Sequence, residues 1–166
     1  MEVIAESPGK INLGLWVGAP DDSGYHPLLT AFQAVDLWDS VTASHAESMS
    51  VQIDGSVDCG LVPTDERNLA WQAARAVAEQ CGTDQRVALR ISKHIPVAGG
   101  MAGGSADAAA ALRAVDALWE CGLGEDDFFR LASGLGSDVP FSLHGQAAIG
   151  KKRGDELTPV PIAAPL

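Results

Sequence analysis

The chain has 166 residues, 46% of them hydrophobic, and carries a formal net charge of −11. That length fits one domain with a substantial core, and the apolar fraction excludes a disordered or collagen-like chain. Eleven basic against 22 acidic side chains argue against nucleic acid as a partner, and no apolar run approaches the ~20 residues of a membrane-spanning helix.

The opening residues, Met1 to Glu6, lack the basic start and apolar run of a signal peptide, which predicts a cytoplasmic protein. Cys59, Cys81 and Cys121 show no Cys-x-x-Cys pair and no metal-ligand spacing. An odd count of this kind predicts reduced, mostly buried thiols.

In chain order, residues 10–18 alternate Ile11, Leu13, Leu15 and Val17 with Asn12, Gly14 and Trp16, the period of a half-buried strand. A turn dense in Pro, Asp and Gly follows at 19–24. Residues 30–37, 40–44 and 49–53 read as further strands. From Asn68 to Cys81 the apolar spacing becomes helical, with Gly82 placed to end the helix. Residues 87–91 alternate as a strand. Helices are predicted over about 105–119 and 125–131, and late strands over 147–151 and 157–160.

The sharpest signal is Pro96-Val97-Ala98-Gly99-Gly100-Met101-Ala102-Gly103-Gly104-Ser105-Ala106-Asp107, between a strand and an Ala-rich helix. Such a loop lets backbone N–H groups approach phosphate at a helix N-terminus. Ser105 is the expected N-cap, with Asp107 in the first turn. The spacing fits neither a Walker A loop nor the dinucleotide fingerprint. A flexible turn ahead of a capped helix is the plain alternative.

Two charges sit in apolar settings. Lys10 opens a strand, where it is either a solvated edge residue or a fixed cation beside an anionic ligand. Asp138, in Leu135-Gly136-Ser137-Asp138-Val139-Pro140, is either a turn cap or a general base. Tyr25 and His26 adjoin in a loop where both rings could stack on a base.

These segments together resemble the GHMP kinase family. The resemblance rests on Ser7-Pro8-Gly9-Lys10-Ile11-Asn12-Leu13, Asp22-Ser23-Gly24-Tyr25-His26, Pro96 to Ala108 and Leu135 to Pro140, in the family's order along nearly the whole chain. It implies an α+β, two-layer domain of the ribosomal protein S5 domain 2-like type over residues 1–158, with 159–166 beginning a second domain of similar size. It also implies ATP-dependent phosphorylation of a small alcohol, with a cytidine diphosphate group as the acceptor's other end. Asp138 would take the hydroxyl proton and Lys10 would support the charge. Asn12, Tyr25 and His26 would hold the cytidine diphosphate end. Pro96, Gly99, Gly100, Met101, Ala102, Gly103, Gly104 and Ser105 would wrap the ATP phosphates. Asn68 and Lys93 would approach the nucleoside, and Mg²⁺ would bridge the phosphates with Ser105 as its protein contact.

Gly9 stands where the family usually has Ala, and Ser23 intrudes before Gly24. Lys151 and Lys152 occupy positions usually small and uncharged. With a second domain absent, the chain alone is expected to be weak or inactive, and its uncovered apolar face to favour self-association. A kinase for another hydroxyl acceptor, a non-catalytic ATP-binding fragment and a dinucleotide-dependent oxidoreductase remain the alternatives.

Overall fold

A computed structural model describes residues 1–20 and 26–161. Ten elements follow one another: β1 (Glu2–Val17), β2 (Leu28–Ala46), β3 (Ser50–Gly55), α1 (Leu69–Cys81), β4 (Arg86–Lys93), α2 (Gly103–Trp119), α3 (Glu125–Leu135), α4 (Val139–His144), β5 (Ala147–Lys152) and β6 (Glu156–Pro159). The architecture is α+β in two layers, one mixed sheet with a layer of helices packed on it.

The sheet runs β3-β4-β2-β5-β6, with β1 paired antiparallel along the length of β2. Only β3 and β4 are parallel, joined by the crossover through α1. Strand β2 replaces the two strands expected over 30–37 and 40–44. Asp39 falls in the gap between those two expected strands, yet it lies within β2, fully buried, because buried partners satisfy its carboxylate.

Helix α2 is the centre of the second layer. Ala106, Ala108 to Ala111 and Ala114 are all buried. Their small side chains let α2 sit close to β1, β2 and α1, with Val41, Leu89, Ile91, Val77 and Leu112 filling the space between. Helix α1 ends as its sequence predicts, with Gly82 in the left-handed conformation at φ 65°. Helix α3 carries Glu125, Asp126 and Asp127 in its first turn, where the helix dipole favours negative charge.

Cys81 and Cys121 form a disulfide, which corrects the expectation of three reduced thiols. The pairing is three-dimensional: Cys81 ends α1, Cys121 follows α2, and the two helices pack side by side. Nothing in a 40-residue spacing announces that contact. Cys59 remains free.

Candidate active site

The site begins on β1, whose pairing with β2 shifts register twice, between Pro8 and Lys10 and again between Asn12 and Gly14. Each shift changes which residues share a face with β2, so the regular alternation expected over 10–18 does not hold. Lys10 and Asn12 lie opposite Ala34 and Phe32; beyond the second shift, Leu15 lies opposite Thr30 and Val17 opposite Leu28. The four therefore share a face, polar at one end and apolar at the other.

Lys10 is nearly buried and donates from Nζ to Asn12 Oδ1 at 2.7 Å. Asn12 in turn donates to the Thr30 hydroxyl at 2.7 Å, and the Lys10 ammonium lies 5.4 Å from the centre of the Phe32 ring. Solvation at a strand edge is thereby excluded for Lys10. The nearest carboxylate is Asp138, with Oδ2 3.6 Å from Lys10 Nζ.

Asp138 arrives from the other layer. It precedes α4, a short helix not among the elements expected from the sequence, and its backbone is helical at φ −91° and ψ −14°. Its side chain makes no capping hydrogen bond and is 32% exposed. The turn-cap alternative therefore fails: a carboxylate free of backbone donors faces a fixed ammonium and solvent. The residues just before Asp138, Gly136 and Ser137, line a hollow of about 450 Å³ together with Leu28 and Arg153. Arg153 closes one side by donating to the Ser133 carbonyl. Lys152 pairs with Glu156, which gives one of the two unexpected lysines a structural partner.

The glycine loop joins β4 to α2 and passes beside Lys10, whose backbone N–H donates to the Met101 carbonyl at 3.1 Å. Ala98, Gly100 and Ala102 all have positive φ, at 58°, 73° and 59°. Gly103 is needed for a different reason. A Cβ there would stand 3.0 Å from Lys93 Nζ and 3.2 Å from Ile95 Cγ2. The helix starts at Gly103 with Ala102 as N-cap, two residues before the start expected from Ser105. Ser105 lies instead in the first turn, half-buried, and Asp107 turns inward rather than toward the helix terminus.

Two residues expected near a nucleoside have other partners. Asn68 caps α1, with Oδ1 accepting from the Ala70 N–H and Nδ2 donating to the Pro63 carbonyl. Lys93 is buried beneath the loop, 2.5 Å from Asp39 Oδ2 and 2.8 Å from Asp107 Oδ2. Asp39, which the sequence reading passed over, also accepts from the backbone N–H groups of His94 and Ile95.

Burial pushes the Asp107 carboxyl up to about 7 against the pull of Lys93. Its Oδ1 is buried without a partner. Burial alone would lower the Lys93 pKa, but Asp107 and Asp39 together carry it above the ordinary lysine value. Because the Asp107 pKa is raised on folding, the native state holds a proton that the unfolded chain has lost between about pH 4 and 7. Its contribution to stability therefore declines as pH rises through that window. Asp107→Asn is expected to remove this slope. Urea unfolding at several pH values should show wild type losing stability relative to the variant from pH 4 to 7, and a constant difference would contradict the assignment.

His26 is exposed and donates from Nδ1 to the Gly18 carbonyl, 2.9 Å away. His26 thus stands beyond the far end of β1, against Gly18, which is eight residues past Lys10 and about 25 Å away by strand rise. The structure does not bring it into the Lys10–Asp138 group. Tyr25 lies outside the described residues.

No group of three or more His, Cys, Asp or Glu residues is placed to hold a metal among the described residues. The Ser105 hydroxyl makes no side-chain hydrogen bond there and is a hard oxygen donor. A lone hydroxyl suits Mg²⁺ only where the nucleotide's phosphates and water supply the remaining ligands.

Comparison with known proteins places these features in a family. Residues 68–146 match the model of the GHMP kinases N terminal domain. The chain is 52% identical over 160 residues to 4-diphosphocytidyl-2-C-methyl-D-erythritol kinase of Kineococcus radiotolerans, covering 95% of this chain and 49% of that protein. The corresponding Mycobacterium avium protein is 54% identical over 158 residues, covering 95% and 50%. A crystal structure of 4-(cytidine 5'-diphospho)-2C-methyl-D-erythritol kinase superposes with a TM-score of 0.77 at 35% identity, covering 98% of this chain and 56% of that one. The Methanococcus jannaschii mevalonate kinase shares the fold, with a TM-score of 0.63 at 14% identity. The chain spans about half the length of the curated relatives it matches. With its glycine loop between β4 and α2, and Lys10 facing Asp138 across the two layers, the chain carries the fold of the GHMP kinases N terminal domain, whose model residues 68–146 match.

Proposed function

We propose that this chain is the nucleotide-binding part of a kinase that phosphorylates the 2-hydroxyl of 4-diphosphocytidyl-2-C-methyl-D-erythritol with ATP. The reading is supported by the relatives' names, and in the structure by one observation above the rest. Lys10 Nζ and Asp138 Oδ2 face each other at 3.6 Å, with the Asp138 carboxylate engaged by no helix cap.

The acceptor oxygen attacks the γ-phosphorus, the bond to the bridging β-phosphate oxygen breaks, and ADP leaves. Asp138 takes the hydroxyl proton as the new O–P bond forms. Lys10, held in place by Asn12, offsets the negative charge that collects between acceptor and phosphoryl group. Backbone N–H groups of residues 99–105, at the N-terminus of α2, receive the nucleotide phosphates. Mg²⁺ would supply charge neutralisation on those phosphates, with Ser105 as its protein contact. His26, beyond the distal end of β1, and its sequence neighbour Tyr25 are assigned to the cytidine end of an elongated acceptor. Asn68 and Lys93 shape the adjoining elements through the partners their side chains already hold.

The test is transfer from ATP to this acceptor by the purified chain, with protein in excess so that even a slow single turnover is read. Formation of the 2-phosphate supports the assignment, and MgATP binding without transfer leaves only the nucleotide-binding fragment. Absence of MgATP binding overturns the nucleotide reading altogether.

Self-association is proposed on the apolar end of the shared face. Leu15 and Val17 are 54% and 61% exposed on β1, which pairs only with β2 among the described residues. Replacing both with Lys is expected to raise the dissociation constant of the self-associated form by about tenfold or more, one hot-spot contact being worth at least ~1.4 kcal/mol. Sedimentation velocity decides it, and unchanged association would remove this face from consideration.

A further inference from the structure

We infer that Lys93, Asp39 and Asp107 form a buried clasp that holds residues 94–103 in their phosphate-binding shape, making Lys93 a positioning residue and not a nucleoside contact. The inference deepens the reading of the glycine loop as the nucleotide-phosphate site and rests on it.

The geometry ties both ends of the loop to one cluster. At the entry, Asp39 Oδ1 accepts from the His94 and Ile95 N–H groups at 2.6 and 2.9 Å. At the exit, Asp107 on α2 accepts from Lys93 Nζ at 2.8 Å. Lys93 closes the circuit by donating to the other Asp39 oxygen at 2.5 Å. The segment between is pinned from below. Ile95 is fully buried, and a Cβ at Gly103 would crowd Lys93 Nζ at 3.0 Å and Ile95 Cγ2 at 3.2 Å. Two strands, one loop and one helix therefore share a single polar anchor.

The burial excludes direct contact in this arrangement. The Lys93 and Asp39 side chains are 2% and 0% exposed, and that of Asp107 is 3% exposed. Charge points the same way. With Asp107 protonated or not, one ammonium beside the Asp39 carboxylate offers no surplus positive charge to a phosphate, so the cluster cannot serve as an anion attractor. What it supplies is shape. Buried, hydrogen-bonded ion pairs resist displacement because a carboxylate left alone there is costly. Two positive-φ alanines in the loop, Ala98 and Ala102, need such an external constraint to stay where they are.

Lys93→Met tests the clasp by two independent readings. A neutral triple variant, Asp39→Asn with Lys93→Met and Asp107→Asn, serves if the single change does not fold. Amide exchange in the ligand-free protein is expected to accelerate about tenfold across 95–103, while α1 and β3 keep their protection. Binding of MgATP and of inorganic tripolyphosphate is expected to weaken together by about 10- to 100-fold, as a displaced site does. Loss of MgATP affinity alone, with unchanged tripolyphosphate binding and unchanged exchange, would make Lys93 a nucleoside contact and overturn the clasp. Unchanged exchange with unchanged binding overturns it equally. If wild type binds neither ligand, the phosphate reading falls, and the inference of a phosphate-shaping clasp falls with it. Faster loop exchange in the variant would then show only a structural anchor.

Discussion

Asp138→Asn is expected to lower turnover by about 10²–10⁴-fold while leaving MgATP affinity and stability close to wild type. The size of the loss follows from removing the proton acceptor, since an amide cannot take the hydroxyl proton as the O–P bond forms. The selectivity follows from the surroundings. Asp138 is one-third exposed, caps no helix and meets Lys10 only at 3.6 Å, so little native structure depends on its charge. Lys10→Met makes the contrasting companion. Lys10 is nearly buried and hydrogen-bonded to Asn12, so its loss disturbs the β1–β2 face as well as the chemistry. Single-turnover transfer, isothermal titration with MgATP and thermal unfolding separate these effects. Wild-type turnover in Asp138→Asn would return the residue to a structural role and leave the proton acceptor unassigned.

The parts of this molecule legible in sequence were those written in local patterns. The helical spacing from Asn68 to Cys81 gives α1 almost to the residue, because cap and C-terminal glycine both lie within it. The glycine loop was likewise visible, since a strand, four glycines and an alanine-rich helix occur in one stretch. Other features depend on partners far along the chain. Strand β2 runs through Asp39 only because Lys93, 54 residues away, and the His94 and Ile95 amides meet that carboxylate. No pattern around Trp38-Asp39-Ser40 carries that information. The two register shifts in β1 are similarly invisible, since a bulge changes pairing without changing composition.

The site shows the same division. Lys10 and Asp138 each stood out as charges in apolar settings, but neither sequence neighbourhood distinguished a catalytic group from a structural one. The structure supplies what was missing, their mutual distance and the lack of a cap at Asp138. Lys93 ran the other way. The family resemblance implies a nucleoside contact for it, whereas its burial and two carboxylate partners support a scaffold role. Motif position gives proximity along the chain; which way a side chain faces is decided by the layer packed on it.

Reduction of the Cys81–Cys121 bridge is expected to lower stability by up to about 4 kcal/mol at 25 °C. The bridge closes a separation of 40 residues, and freeing a loop of that length returns a corresponding amount of chain entropy to the unfolded state. Both cysteines are half-buried, so a small reductant reaches them without prior unfolding. Nucleotide affinity is expected to stay unchanged. The bridge joins the C-terminal ends of α1 and α2, whereas the glycine loop opens at the N-terminus of α2, about 25 Å away along a 17-residue helix. Urea unfolding with and without reductant reads the first claim, and MgATP titration under the same two conditions reads the second. Cys81→Ser should reproduce the reduced midpoint and make it insensitive to reductant. Equal midpoints in both conditions would mean that side-by-side packing of α1 and α2, and not the covalent link, holds those helix ends together.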